Sequence, residues 1–143
     1  MGDITRLKQR FDNYQSMLNI LEVGLTSKSL NEYSEIELIG YAKTFELSFE
    51  LMWKLFKDYL EYMNVSIGLI APKSILKIAA SNGLLDEIGI EGETLIQAAS
   101  SRNELVHIYD EEKFHTQMSQ IQNLYLIELV KVKEFFLKVL RDE

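Results

Sequence analysis

Residues 35–64, EIELIGYAKTFELSFELMWKLFKDYLEYMN, predict one long helix. Apolar side chains recur along this stretch in steps of three and four positions, the spacing of one face of an α-helix. Ser34 precedes it as a candidate N-cap, and Glu35 and Glu37 stand in the first turn, where the helix dipole favours acids. A helix of this length is typical of a helical bundle. The apolar positions are Leu38, Ala42, Phe45, Phe49, Met52, Phe56, Tyr59 and Met63.

The segment before this helix carries the same apolar spacing. We expect a first helix from about Asp3 to Leu25, followed by a polar turn over residues 26–34. The alternating steps of three and four resemble the seam of a coiled coil, as in a bundle helix. The seam positions are Ile4, Leu7, Phe11, Tyr14, Leu18, Leu21 and Leu25.

The segment after the long helix predicts shorter helices. Pro72 is the only proline of the chain, and it suits the first position of a helix over residues 72–82 that ends at Gly83. Gly89 and Gly92 predict an interruption of the helical structure. A further helix is expected over residues 91–106.

The last predicted helix begins after Asp110, a candidate N-cap, and ends near Leu140. Its apolar arc is wide, which leaves two alternatives open: a central core helix in a monomer, or burial against a second copy of the chain. Together the segments predict one all-α bundle domain over residues 1–143. The apolar positions are Leu124, Tyr125, Leu126, Ile127, Leu129, Val130, Val132, Phe135, Phe136, Val139 and Leu140.

Composition narrows the function classes. The formal net charge of −7, from 22 acidic and 15 basic residues, disfavours broad binding to nucleic acid, although a local patch can still contact RNA. The absence of cysteine excludes Cys-ligated zinc, thiol catalysis and disulfides. No apolar run predicts a membrane span, and residues 1–7 contain no apolar signal core, so a cytoplasmic protein without membrane contact is expected.

Residues 102–109, RNELVHIY, are the best candidates for chemistry. On a helix, Asn103 and His107 share a face, so Asn103 can hold one imidazole nitrogen and leave the other free as acid or base. The planar fork of Arg102 suits phosphate, and Tyr109 is expected in the turn before the last helix. These side chains suit a phosphate-bearing ligand or RNA cleavage. Spacing alone favours a structural interpretation, because charged clusters near helix ends often pair with acids.

The long helix also carries a polar stripe beside its apolar seam. Glu50 is expected to pair with Lys54, and Trp53 with Lys57, at one helical turn. The two acids of the stripe can hold a metal, pair with Arg102 across the bundle or simply be solvated, and we favour a structural pairing with Arg102 over a metal. The stripe consists of Glu46, Glu50, Trp53 and Lys57.

Other motifs of catalytic or metal sites are missing from the sequence. It has no Gly-rich phosphate loop, no nucleophile elbow, no His-Glu-x-x-His helix and no Glu-x-x-His pattern of a di-iron bundle. His115 is expected on the surface of the last helix. We therefore expect no metal site and no intrinsic cofactor.

Three segments together resemble a known family. Residues 44–60, TFELSFELMWKLFKDYL, are similar to the Phe-Glu…Glu-Leu-x-Trp-Lys…Asp-Tyr-Leu signature of the nucleotidyltransferase substrate-binding protein family. Residues 71–74, APKS, resemble its Ser-Pro-Lys helix start, with Ala71 in place of the serine. Residues 101–111 resemble its Arg-Asn…His-x-Tyr-Asp-Glu motif, although residues 91–101 lack the tryptophan often found before it.

The resemblance implies a four-helix up-and-down bundle with an additional short helix, similar to the substrate-binding domain of aminoglycoside nucleotidyltransferases. It implies a partner, a separately encoded minimal nucleotidyltransferase that supplies the metal-binding acids, the NTP and Mg²⁺. The chain would then not be an enzyme on its own. It would form a homodimer that binds the acceptor substrate in a cleft. The implied substrate-binding residues are Glu46, Glu50, Trp53, Arg102, Asn103, His107 and Tyr109.

The Arg-x4-His-x-Tyr pattern also resembles HEPN domains, some of which are metal-independent RNase toxins. Under this alternative Arg102 and His107 would be the catalytic pair, and a dimer would bring two motifs to a shared groove. Tyr109 would be the residue that a nucleotidyltransferase antitoxin adenylylates. A third alternative is a purely structural interaction bundle.

Overall fold

The computed structural model describes residues 3–105 and 110–141, and every regular element in these ranges is helical. The predicted all-α class is therefore confirmed. A single 3₁₀ turn, Leu30–Glu32, lies between the first two helices, and a π-helical turn, Ile121–Tyr125, lies between the last two. The α-helices are α1 (Ile4–Gly24), α2 (Glu35–Tyr62), α3 (Pro72–Ser81), α4 (Leu84–Ile88), α5 (Gly92–Leu105), α6 (Glu111–Gln120) and α7 (Leu126–Arg141).

The long helices pack side by side. The start of α1 lies against the end of α2, where Arg10 Nε donates to Asp58 Oδ2 at 2.9 Å. The end of α7 also lies against the start of α1, since the ring centroids of Phe11 and Phe136 are 6.1 Å apart. Both α2 and α7 therefore run opposite to α1. Among the described residues, no helix is long and apolar enough to cross a membrane.

The predicted seams of α1 and α2 lie in the core, which the other helices complete. Nearly all of their positions are buried, but Met63 lies beyond the end of α2 and is exposed. Tyr14 is fully buried, and its hydroxyl donates to the carbonyl oxygen of Leu129 on α7 at 2.7 Å. Burial, together with the negative charge of Glu22, raises the pKa of Tyr14 well above its ordinary value.

The predicted N-cap of α2 is confirmed. The helix ends two residues before its predicted end. Ser34 accepts a hydrogen bond from the backbone N–H of Glu37, and Glu37 accepts one from the N–H of Ser34, which forms a capping box. The helix ends at Tyr62 rather than Asn64, because Asn64 adopts a left-handed conformation with φ 63°.

The break expected near the glycines contains a helix of its own. α4 spans five residues between Gly83 and Gly89, which adopt φ 80° and φ 90° at its two ends. Such backbone angles suit glycine, so the chain turns sharply on both sides. Leu84 and Leu85 are buried, which stabilises a helix too short to form alone. In the described residues two short helices, α3 and α4, therefore lie between α2 and α5, where one was expected.

The last helix is confirmed within its predicted bounds, and it contains a π-helical turn, Ile121–Tyr125, that separates α6 from α7. Asp110 caps α6 as expected, by accepting from the N–H of Lys113 at 3.2 Å. The π-helical turn then follows α6, and Nε2 of Gln122 in this turn donates to the carbonyl oxygens of Leu25 and Lys28 beyond the end of α1. Five of the eleven predicted apolar positions are buried within the one chain, five are partly buried, and Ile127 is exposed.

Candidate functional site

Arg102 lies in the last turn of α5 and contacts α2. Its Nη1 donates to Oε2 of Glu50 at 2.6 Å, and its Nη2 donates to Oδ1 of Asn103 at 3.1 Å. Its guanidinium also lies over the ring of Phe49, 5.5 Å from the centroid. The Arg102 side chain is only 18% exposed. The predicted pairing of Arg102 with an acid of the α2 stripe is therefore confirmed, and the acid is Glu50.

Glu50 is the centre of this cluster. Its Oε2 accepts from Nε1 of Trp53 at 3.0 Å as well as from Arg102, and its Oε1 lies 3.2 Å from Nζ of Lys54. Burial raises the pKa of Glu50, but hydrogen bonds from Trp53 and Lys54 and the charges of Lys54 and Arg102 outweigh it and hold the pKa below its ordinary value. The expected Glu50–Lys54 pair is confirmed.

Trp53 is buried, and its indole N–H donates a hydrogen bond to the Glu50 carboxylate. The cation over its ring is Lys54, with Nζ 5.8 Å from the ring centroid. The sequence spacing predicted that Lys57 pairs with Trp53. Lys57 instead forms ion pairs with Asp58 at 3.4 Å and Glu61 at 3.1 Å. Because Asp58 also binds Arg10, Lys57 belongs to a second ionic group toward the end of α2.

The remaining predicted residues have different positions. Glu46 lies one turn before Glu50 on α2 and pairs with Lys43 at 3.7 Å. Asn103 is exposed and accepts from Arg102. His107 and Tyr109 lie outside the described residues. The structure thus brings Glu50, Trp53, Arg102 and Asn103 together, with Glu46 next to them along α2.

Sequence reasoning missed a polar network beside Arg102. The hydroxyl of buried Ser101 donates to Oε1 of Gln117 on α6, and Nε2 of Gln117 donates to Oε2 of Glu104 at 3.1 Å. Tyr125, in the π-helical turn, lies near Ser101. Burial and the charge of Glu104 raise its pKa, while a hydrogen bond with Ser101 opposes this. The only signal in the sequence is the position of Ser101 directly before the Arg-Asn pair.

A second cluster joins the first turns of α2 and α6. Nε2 of His115 lies 2.7 Å from Oε1 of Glu35, and Glu111 contributes a third polar group. The prediction of His115 as a surface residue is confirmed, since its side chain is 37% exposed.

The geometry around Arg102 determines what it can bind. Its Nη1 and Nη2 already donate to Glu50 and Asn103. Two of its five N–H groups are used in this way, so a phosphate group would share the guanidinium with the negatively charged Glu50 carboxylate. Oε1 of Glu50, in contrast, contacts only a half-exposed lysine among the described side chains, so a cationic or hydrogen-bond-donating group can replace Lys54 there.

The chain also matches a known protein family. The family described as "Nucleotidyltransferase substrate binding protein like" matches residues 9–138, a range that includes both α2 and Arg102. A search among curated proteins finds no significant match. Because the match covers most of the chain, the protein belongs to the nucleotidyltransferase substrate binding protein like family.

Proposed function

We propose that this chain is the substrate-binding subunit of a two-protein nucleotidyltransferase. A separately encoded minimal nucleotidyltransferase would supply the metal-binding acids, Mg²⁺ and the NTP. The single observation that carries the proposal is the 2.6 Å contact between Arg102 and Glu50. It joins two segments that resemble the family's motifs and that lie 52 positions apart in the chain.

The acceptor substrate would bind along the polar face of α2 next to the end of α5. Glu50 would accept hydrogen bonds from it, and Arg102 would hold Glu50 ionised and oriented. Glu46, Asn103, His107 and Tyr109 would complete the cleft, and Trp53 would support it from the core. The Glu50 carboxylate beside Arg102 favours an acceptor rich in hydrogen-bond donors over a phosphate-rich one.

The alternative is a HEPN-type ribonuclease, and the Arg102–His107 spacing is the observation that favours it. Arg102 would then leave Glu50 and stabilise the charge on the phosphorane, while His107 would act as acid or base. A homodimer would place two such motifs at one groove. The net charge of −7 and the engaged guanidinium both oppose this function.

Incubation with total RNA distinguishes the two functions. The purified chain is compared with Arg102→Ala, His107→Ala and a control variant, Lys43→Ala, which removes a cation from the exposed face of α2. Our proposal predicts that RNA stays intact with all four proteins. Cleavage by the wild type and Lys43→Ala, lost in the other two variants, would overturn it.

Intact-mass measurement gives an independent test of the alternative. The chain is co-expressed with a minimal nucleotidyltransferase, and its mass is compared with that of Tyr109→Phe. Our proposal predicts no nucleotide-sized mass gain on the chain. A gain that disappears in Tyr109→Phe would identify a modified toxin instead.

A further inference from the structure

Three metal-ligating side chains from two helices converge at the surface. Glu35 is the first residue of α2, Glu111 is the first residue of α6, and His115 follows Glu111 by one turn on the same face. One ligand atom from each of the three lies within 4.8 Å of the other two. Because Glu35 and His115 are 80 positions apart, the fold and not the local sequence creates this group.

Helix capping does not account for these side chains. The N-terminus of α2 is capped by Ser34 and Glu37, and that of α6 by Asp110. Glu35 and Glu111 therefore serve no cap, and their like charges are held close together. The dipoles at the two helix N-termini favour these acids and reduce the repulsion. A bound cation would remove it.

We propose that Glu35, Glu111 and His115 bind a divalent transition-metal ion such as Zn²⁺. An imidazole nitrogen selects zinc-like ions over Mg²⁺ and Ca²⁺, which prefer oxygen ligands alone. Ligand atoms of a tetrahedral zinc site are about 3.3 Å apart, given zinc–ligand distances of about 2.0 Å. This value lies between the 2.7 Å contact of His115 with Glu35 and the 4.8 Å limit of the group, so small side-chain rotations suffice.

The surroundings suit a site with an open coordination position. A shallow cavity of about 610 Å³ lies beside the group, and two of its three members line it. Three protein ligands and one exchangeable water or ligand is the arrangement of open zinc sites. The inference does not depend on the proposed function, since none of these residues contacts the Arg102 cluster. The lining residues are Glu111, Glu112, His115, Thr116 and Ser119.

Calorimetric titration tests the site. The full-length chain, without a histidine tag, is stripped with EDTA, desalted and titrated with ZnCl₂. We expect saturable binding of one Zn²⁺ per chain and a rise in Tm. His115→Ala and Glu111→Gln should each weaken Zn²⁺ binding by about tenfold or more. Co²⁺ added in place of Zn²⁺ should give visible d–d absorption bands that both variants lose.

Glu112→Gln is the matched control. It removes the same charge from the same cavity but lies outside the three-residue group, so it should leave Zn²⁺ binding nearly unchanged. The side chains are exposed, and far-UV circular dichroism checks that each variant folds. Absence of saturable Zn²⁺ binding would overturn the proposal. Equal weakening by Glu112→Gln and Glu111→Gln would also overturn it, because it would show only diffuse attraction to acidic groups.

Discussion

Nη1 of Arg102 donates to Oε2 of Glu50 across 2.6 Å, and this contact ties the end of α5 to the middle of α2. The same carboxylate oxygen accepts from the indole of Trp53, so the acid is held from two sides. A charge-assisted bond between partly buried partners is stronger than an exposed ion pair. The contact therefore positions the candidate site and also stabilises the bundle.

A double-mutant cycle measures the strength of this contact. Glu50→Gln and Arg102→Gln should each lower the free energy of unfolding, with a coupling energy of about 1 kcal/mol, because the pair is partly exposed and screened. Urea unfolding of the wild type, both single variants and the double variant gives the coupling energy. The half-exposed Lys54–Glu50 pair is the control and should couple by less than about 0.5 kcal/mol. Additive effects for Glu50 and Arg102 would contradict the predicted coupling.

The lowered pKa of Glu50 makes this contribution depend on pH. The folded chain binds fewer protons at Glu50 than the unfolded chain, whose carboxyl titrates near about 4.3. The stabilisation is therefore complete above this value and is lost as pH falls through the lower folded-state pKa. The stability difference between wild type and Glu50→Gln should be constant near neutral pH and shrink below about pH 4. A difference that persists undiminished in acid would refute the assignment.

The Tyr14→Phe substitution tests a buried hydrogen bond in the core. Its hydroxyl bonds to Leu129, so Tyr14→Phe should cost about 1 kcal/mol at neutral pH. The raised pKa keeps the folded phenol neutral, while the unfolded phenol ionises near about pH 10. The advantage of the wild type over Tyr14→Phe should therefore decline as pH rises past about 10. Denaturant unfolding at neutral and alkaline pH checks this, and a constant advantage would contradict it.

Two glycines should respond oppositely to alanine. A Cβ at Gly24 would overlap the outer end of the Tyr41 ring, which would have to shift from its contact with Tyr33, so Gly24→Ala should destabilise the chain by about 1 kcal/mol. A Cβ at Gly40, inside α2, meets open space, so Gly40→Ala should stabilise by about 0.5–1 kcal/mol through helix propensity. Thermal unfolding of both variants gives the comparison. Shifts of the same sign would show that the close approach of α1 and α2 is misassigned.

The long helices could be predicted because their signal is local. The apolar steps of α1 and α2 depend only on the helical repeat, and most of these positions are buried. α4 could not be predicted, because a helix of five residues is too short to form alone and is stabilised by burial of Leu84 and Leu85. The π-helical turn could not be predicted from the sequence either, because it depends on tertiary contacts of Gln122 with the end of α1.

The candidate site was likewise predictable from the sequence only in part. The stripe on α2 and the position of Arg102 were sufficient to predict their pairing. The network of Ser101, Gln117 and Tyr125 was not predictable, because it depends on how α6 and the π-helical turn pack on α5. The contact of His115 with Glu35 likewise exists only in the folded chain. The roles of His107 and Tyr109 remain predictions.

Native mass spectrometry tests the proposed function most directly. The chain is co-expressed with the reading frames that flank its gene, purified and weighed as an intact complex. We predict a complex with a small nucleotidyltransferase that carries a Gly-Ser and paired-Asp motif. The same complex should form with Glu50→Gln, whose substitution lies in the acceptor site. A chain that stays free of any nucleotidyltransferase under these conditions would contradict the account.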